Sequence, residues 1–221
     1  MKKINIAIDG PSGVGKSTIA KIIAKNLDLV FINTGLMYRA IAFYSLKNNL
    51  DLNNEEIIEK AIKEIDIELL PNEIIKINGI DITDNLWVDS ISIAASIISK
   101  HKKIREFCVK KQQQIAKEKP GVVMEGRDIG SVVLTDAELK IFLTATNEVR
   151  AQRRIKQLLD KGEKVNEEEI LKNIIERDKR DKERDVAPLI KVDDAIEIDT
   201  SNLSFDEVLF KVLDLAKKKM I

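Results

Sequence analysis

Apolar positions along this chain recur in two different periods, and the switches between them lay out its architecture. Ile4 to Ile8 is a short β-favouring run, and Thr18 to Leu27 then carries apolar residues at helical spacing. Leu29 to Ile32 repeats the short run and ends at Asn33-Thr34-Gly35, ahead of a second helical pattern from Leu36 to Leu46. Strand, helix and strand in this order predict a parallel pair with a right-handed crossover, and ligands bind beyond the C-terminal ends of such strands. Asn53-x-x-Glu56 predicts a helix start for residues 54 to 64. The period then becomes two. Ile65-Asp-Ile-Glu-Leu and Ile74-Ile-Lys-Ile alternate, Pro71-Asn72 turns between them, and Asn78-Gly79 opens a turn into Ile80-Asp-Ile, which predicts a small antiparallel meander.

Residues 86 to 118 return to helix, in two pieces separated near His101, which the flanking Lys100 and Lys102 suggest is solvated. Pro120-Gly121 punctuates the chain before Val122 to Met124, a run suited to a buried parallel strand. Leu139 to Leu143 and Ala195 to Ile198 bring the parallel strands to five, and Ser204-x-x-Glu207 caps a closing helix with an apolar stripe at Val208, Leu209, Val212 and Leu215. Between the last two strands lies a charged helical pair. Arg150, Arg153 and Arg154 share one face, Gly162 breaks the pattern, and Asn166-x-x-Glu169 starts a second helix that ends in a wholly charged run from Glu176 to Asp185. Within that run Arg177, Asp181 and Arg184 project from one side.

Chemistry enters at Gly10-Pro11-Ser12-Gly13-Val14-Gly15-Lys16-Ser17, which satisfies G-x-x-x-x-G-K-[ST] at every fixed position, between a predicted strand and a predicted helix ending at Leu27. Its glycines let backbone N–H groups turn around phosphate oxygens, and the following helix directs its positive end at the same anion. Lys16 would reach the β- and γ-phosphates, and the Ser17 hydroxyl would ligate Mg²⁺. Thr34 and Arg39 fall at the next strand end, and Glu125-Gly126-Arg127-Asp128 crowds charge at the end of a buried strand, where charge is costly unless it serves a ligand. With such a loop in the same chain, the charged helical pair reads as a mobile lid over reacting phosphates.

Composition narrows the class. Lys plus Arg equals Asp plus Glu at 37 each, so no global field recruits nucleic acid or an anionic membrane. Aromatic residues are only 4%, too few for a base-stacking platform. The single cysteine, Cys108, rules out an internal disulfide framework and suits packing in a reducing compartment. No apolar run reaches the length of a membrane span, and the five mostly apolar residues after Met1-Lys2-Lys3 are too few for a signal segment, so the expected location is cytoplasmic.

Taken together, Ile-Asp-Gly-Pro-Ser-Gly-Val-Gly-Lys-Ser, Asn-Thr-Gly-Leu-Met-Tyr-Arg, Met-Glu-Gly-Arg-Asp-Ile-Gly and Glu-Arg-Asp-Lys-Arg-Asp-Lys-Glu-Arg make the chain resemble bacterial cytidylate kinases over almost its whole length. The resemblance implies an α/β fold: a P-loop NTPase core with a five-stranded parallel sheet flanked by helices, a small antiparallel β insert and a helical lid. It implies one kinase domain, with a core of about residues 1–64, 101–145 and 187–221, a monophosphate-binding insert of about 65–100 and a lid of about 146–186. ATP would sit on residues Gly10 to Thr18 with Mg²⁺ at Ser17. Thr34, Arg39, Arg105 and Arg127 would hold CMP through phosphate, sugar or base, with Ser96 and Asp128 at the cytosine edge. Arg177, Asp181 and Arg184 would contact the ribose and acceptor phosphate, and Arg153 and Arg154 the donor phosphates. Lys16, Arg153, Arg154 and Arg184 are thus the expected catalytic set, acting on ATP and CMP or dCMP in a monomer.

Cytosine fits these residues: its exocyclic amine wants an acceptor such as Asp128 or Ser96, and its N3 and O2 want a donor such as Arg105. The chain departs from the family pattern at Asn33, where aspartate is usual, and at Trp87, where arginine is frequent. Both departures bear on acceptor affinity. Two other readings stay open on sequence: a small kinase for UMP, AMP or a metabolite, and a nucleotide-switch GTPase, which the chain's lack of an N-K-x-D segment disfavours.

Overall fold

A computed structural model describes residues 2–119 and 121–221; the turn expected at Pro120 lies outside them. Numbered in chain order, the parallel strands are β1 (Ile6–Asp9), β2 (Val30–Asn33), β6 (Val122–Gly126), β7 (Leu139–Thr144) and β8 (Ile196–Asp199). They form one sheet in the order β2-β6-β1-β7-β8. The remaining strands, β3 (Ile67–Leu70), β4 (Ile74–Ile77) and β5 (Ile80–Asp81), form the expected antiparallel meander.

Alternation along the strands divides the core into two. Ile6 and Ile8 of β1 and Val123 of β6 pack with α1 (Lys16–Leu27) and α8 (Phe205–Lys219) on one face of the sheet. Ala7, Val122 and Met124 point to the other face, with α2 (Gly35–Lys47), α3 (Glu55–Lys63), α4 (Asp89–Ile98) and α5 (Lys102–Lys117). Each large aliphatic buried this way contributes about 1.5–3 kcal/mol. The inward residues of the meander, Ile67, Leu69, Ile75 and Ile77, join this second core. The meander is therefore seated against α2 and the sheet edge at β2, while its far edge stays exposed at β5.

The sheet's order places the site. From β1 the chain crosses to β2, returns to β6 between them, and then continues to β7 on the opposite side of β1. The strand order thus switches at β1, which opens a crevice beyond its C-terminal end, where Asp9 lies beside Gly126. The charged pair, α6 (Asn147–Asp160) and α7 (Glu167–Glu183), folds over this crevice.

Three sequence expectations are corrected. Asn54, not Asn53, caps α3, its Oδ1 accepting from Ile57 N at 3.2 Å. Asn53 N donates instead to Asp51 Oδ1, a turn that delays the helix by one residue. His101 is not solvated: it is buried at the start of α5, with Nε2 2.8 Å from Leu52 O, because the α4–α5 junction folds onto the segment before α3. Finally, α7 stops at Glu183, so Arg184 follows the helix instead of extending its face. There the chain turns back, Leu189 N donating to Asp181 O and Arg184 Nε to Ala187 O, both at 2.7 Å. The predicted caps at Asn166 and Ser204 are present, the latter as a complete capping box with Glu207. Among the described residues no helix is long and apolar enough to cross a membrane.

Candidate active site

The loop between β1 and α1 is shaped by backbone demands that sequence alone can meet. At Gly10 φ is 145°, and a Cβ there would lie 2.1 Å from Leu143 O, so only glycine fits. Gly15 precedes α1 in the left-handed region, and α1 has neither a side-chain cap nor an acidic residue in its first turn. Its leading N–H groups are thus left for an anion. Lys16 is buried, with Nζ donating to Pro11 O at 2.6 Å. Burial first, and the neighbouring guanidinium of Arg127 second, push its ammonium down to about 7. Ser17 Oγ donates to Glu125 Oε1 at 2.8 Å, which places a hydroxyl and a carboxylate together at the ends of α1 and β6. This pair suits a hard divalent cation, which takes oxygen donors and commonly keeps only one or two from protein beside phosphates and water.

Opposite the loop the cleft is built from charged side chains. Thr34, at the start of α2, donates Oγ1 to Glu125 O at 2.8 Å. Arg39, one turn on, donates to Leu86 O at 2.9 Å and lies 5.6 Å over the Trp87 ring. Arg105 of α5 is buried against Tyr38 and donates Nη2 to Asp128 Oδ2. Arg127 donates Nε to Asp181 Oδ2 at 2.8 Å, and Arg184 lies 3.9 Å from Asp181 and 4.0 Å from Asp128. Burial alone would raise Asp181, but the guanidiniums of Arg127 and Arg177 outweigh it and hold its carboxyl below the ordinary range. Arg177 is driven the other way, to about 10, by burial and then by repulsion from Arg127. Among the described residues, buried Arg177 Nε and Arg184 Nη2 have no hydrogen-bond partner, a donor set suited to an anion.

The helical pair supplies the remaining arginines. Arg153 donates to Thr200 Oγ1 and O at 3.0 and 2.7 Å, beside the end of β8. Arg154 reaches across to Asp89 on α4, and Arg180 Nε donates to Ser96 Oγ at 3.3 Å, so α6 and α7 both touch α4.

One cleft of about 890 Å³ brings together Ser12, Gly13, Gly15, Lys16, Ser17 and Thr18 with every residue expected on the acceptor side, and with Arg153 and Arg154. Gly10, Pro11 and Val14 do not line it: Gly10 makes the turn, Pro11 offers its carbonyl to Lys16, and Val14 packs in the core. Sequence reasoning singled out neither Asp9, which braces a loop of the cleft without lining it, nor Arg180, which lines it. Asp9 accepts from Ile129 N at 2.8 Å and Gly130 N at 2.7 Å, tying the end of β1 to the loop that carries Asp128. Burial pushes its carboxyl up to about 6, against the lowering by those two N–H groups. A charge at a buried strand end, the signal that exposed Glu125 to Asp128, was equally present at Asp9. Arg180 carried no signal apart from its neighbours in the charged run.

The family model for cytidylate kinase matches residues 6–218. A cytidylate kinase from Bacillus velezensis is 49% identical over 99% of this chain and 98% of its own length, and one from Bacillus subtilis is 48% identical over the same shares. One from Caldicellulosiruptor saccharolyticus is 49% identical over 99% of this chain and 97% of its own length.

Proposed function

The chain belongs to the cytidylate kinase family, so its reaction is transfer of the γ-phosphoryl group of ATP to CMP or dCMP, and we propose that the cleft performs it by positioning and charge neutralisation rather than by a general base. The acceptor phosphate is already ionised, so no proton need be removed by a strong base before attack. The lone histidine lies outside the cleft, in keeping with that requirement.

ATP would lie along Gly10 to Thr18, its phosphates meeting the N–H groups of the loop and of the first turn of α1, with Lys16 swinging from Pro11 O onto the β- and γ-oxygens. Ser17 and Glu125 would hold Mg²⁺, which when bound neutralises charge on the donor phosphates. Arg39, Arg127 and Arg177 would take the acceptor phosphate, and Asp181 with Arg184 the ribose. Arg153 and Arg154 would leave Thr200 and Asp89 to meet the transferring group, where cationic donors lower the barrier most. Closure of the lid against the insert would exclude water, which otherwise competes as acceptor.

The observation that carries the base assignment is the buried Arg105–Asp128 pair, which lines the same cleft as Lys16. It presents a carboxylate for the exocyclic amine and a guanidinium for N3 and O2 of cytosine, whereas UMP would turn a carbonyl toward the carboxylate. The same reading divides the single domain into core, insert at about residues 65–100 and lid at about 146–186, acting as a cytoplasmic monomer. The free, buried Cys108 suits a reducing compartment.

The test is ADP release with Mg-ATP against CMP, dCMP, UMP, AMP and no acceptor. Fast turnover confined to the two cytidine nucleotides is expected. Equal release in every tube would mean simple hydrolysis and would remove the acceptor-site reading.

A further inference from the structure

Arg150, in the first turn of α6, is among the largest fully buried side chains of the molecule, at 1% exposure. Each of its guanidinium N–H donors has an acceptor. Nε donates to Ala145 O at 3.2 Å; Nη1 donates to Ser12 O and to Asp178 Oδ1, both at 3.0 Å; Nη2 donates to Asn147 Oδ1 and Asp178 Oδ2. A guanidinium has five such donors, so none remains for a phosphate. This separates Arg150 from Arg153 and Arg154 on the same helix, although sequence spacing puts all three on one face.

The acceptors belong to different halves of the cleft. Ser12 is in the phosphate loop, and a methyl placed on the adjacent Gly13 would sit 3.2 Å from Arg150 Cβ, so loop and side chain are in close contact. Asp178 is on α7, next to Arg177 and one turn before Asp181, both of which line the acceptor side. A bidentate guanidinium–carboxylate pair fixes orientation as well as distance. Movement of α7 must therefore carry Arg150 with it or open a buried charge pair.

We propose that Arg150 and Asp178 are positioning residues that couple α7 to the phosphate loop, so that an acceptor held by α7 tightens the loop around the donor, and the donor tightens the acceptor equally. This rests on the reading that ATP occupies the loop and CMP the α7 side. Reciprocity is a thermodynamic requirement of such coupling.

The experiment measures the Kd of a non-hydrolysable ATP analogue with and without saturating CMP, in the unmutated protein, in Asp178→Asn, in Arg150→Lys and in the double replacement Arg150→Met with Asp178→Leu. The double replacement removes both charges and fills their space with apolar side chains, so it leaves no unpaired buried ion and is expected to fold even where Asp178→Asn does not. CMP should tighten the analogue by about fivefold or more in the unmutated protein, and by a factor of about 1 in the folded variants. A purely structural role would lower Tm and leave that factor intact, which overturns the proposal, as does the absence of any coupling in the unmutated protein. The reading of the reaction fails separately, through loss of CMP-dependent ADP release in the unmutated enzyme.

Discussion

The two halves of the cleft are built on opposite principles. The half we assign to the donor is one contiguous stretch, Gly10 to Ser17, whose binding groups are largely backbone N–H and whose shape is fixed by glycine geometry against Leu143 O, and the other half we assign to the acceptor. The acceptor half gathers Arg39, Ser96, Arg105, Arg127, Asp128, Arg177, Asp181 and Arg184 from α2, α4, α5, α7 and the segments after β6 and α7, and many of their charges satisfy one another. Backbone dipoles cannot rearrange, so the donor half is preorganised. Paired side chains can, so the acceptor half must exchange internal partners for substrate, and its geometry depends on what occupies it.

The largest test of this contrast lies in the donor half. Lys16→Met removes the only charged side chain of the loop while its apolar stem still fills the site, and should lower kcat by about 10³-fold or more with an unchanged far-UV spectrum. Near-normal turnover in this variant would mean the backbone alone suffices. In the acceptor half, Asp128→Asn keeps the shape and removes the charge opposite Arg105. kcat/KM for CMP should fall about 10²-fold, ~2.7 kcal/mol, and selectivity over UMP should narrow because an amide can donate to a carbonyl. An unaltered CMP-to-UMP ratio would remove Asp128 from base reading.

The same contrast explains what could be read from sequence. The donor loop was legible because its determinants are consecutive and its flanking strand and helix announce themselves by period. All five parallel strands and the meander followed from apolar runs, with ends shifted by one or two residues, and the start of α3 shifted by one where Asn53 N turns back to Asp51. The acceptor residues were legible chiefly through resemblance, since they lie far apart in the chain. What stayed hidden was pairing: Arg150 with Asp178, Arg154 with Asp89, Asp9 with the Ile129 and Gly130 amides. Each joins segments many residues apart, and no spacing rule reports such a contact. His101 was misplaced for the same reason, its lysine neighbours saying nothing of Leu52.

A smaller effect should appear in the pH dependence of donor binding. In the free protein Lys16 sits at about 7, against 10.5 for an ordinary lysine, because burial disfavours its charge. Phosphate binding favours the charged form, so ATP should take up about half a proton at pH 7, and its affinity should weaken about fivefold from pH 7 to 8. Titration calorimetry in buffers of different ionisation enthalpy measures this uptake; a value of zero would contradict the shift. For folding the sign is that of a depressed pKa: the stability it contributes is present above about 10.5 and lost as pH falls through about 7.

The smallest effect concerns the seam between the halves, at Asn33. Asn33 Nδ2 donates to Glu73 Oε1 at 3.1 Å, and Lys21 of α1 bonds the other oxygen, Oε2, at 2.9 Å. Glu73 thus links the insert both to the strand end that precedes Thr34 and to the helix of the donor loop. An aspartate at 33 would set two carboxylates within hydrogen-bonding distance with only one exposed lysine to offset them. Asn33→Asp should therefore raise KM for CMP by about three- to fivefold, ~1 kcal/mol, with little change in kcat. Glu73→Gln in the same chain should restore KM, since the repulsion needs both charges. If the two substitutions instead act additively on KM, the amide at 33 is not what seats the insert, and acceptor affinity is set wholly by the arginines facing the cleft.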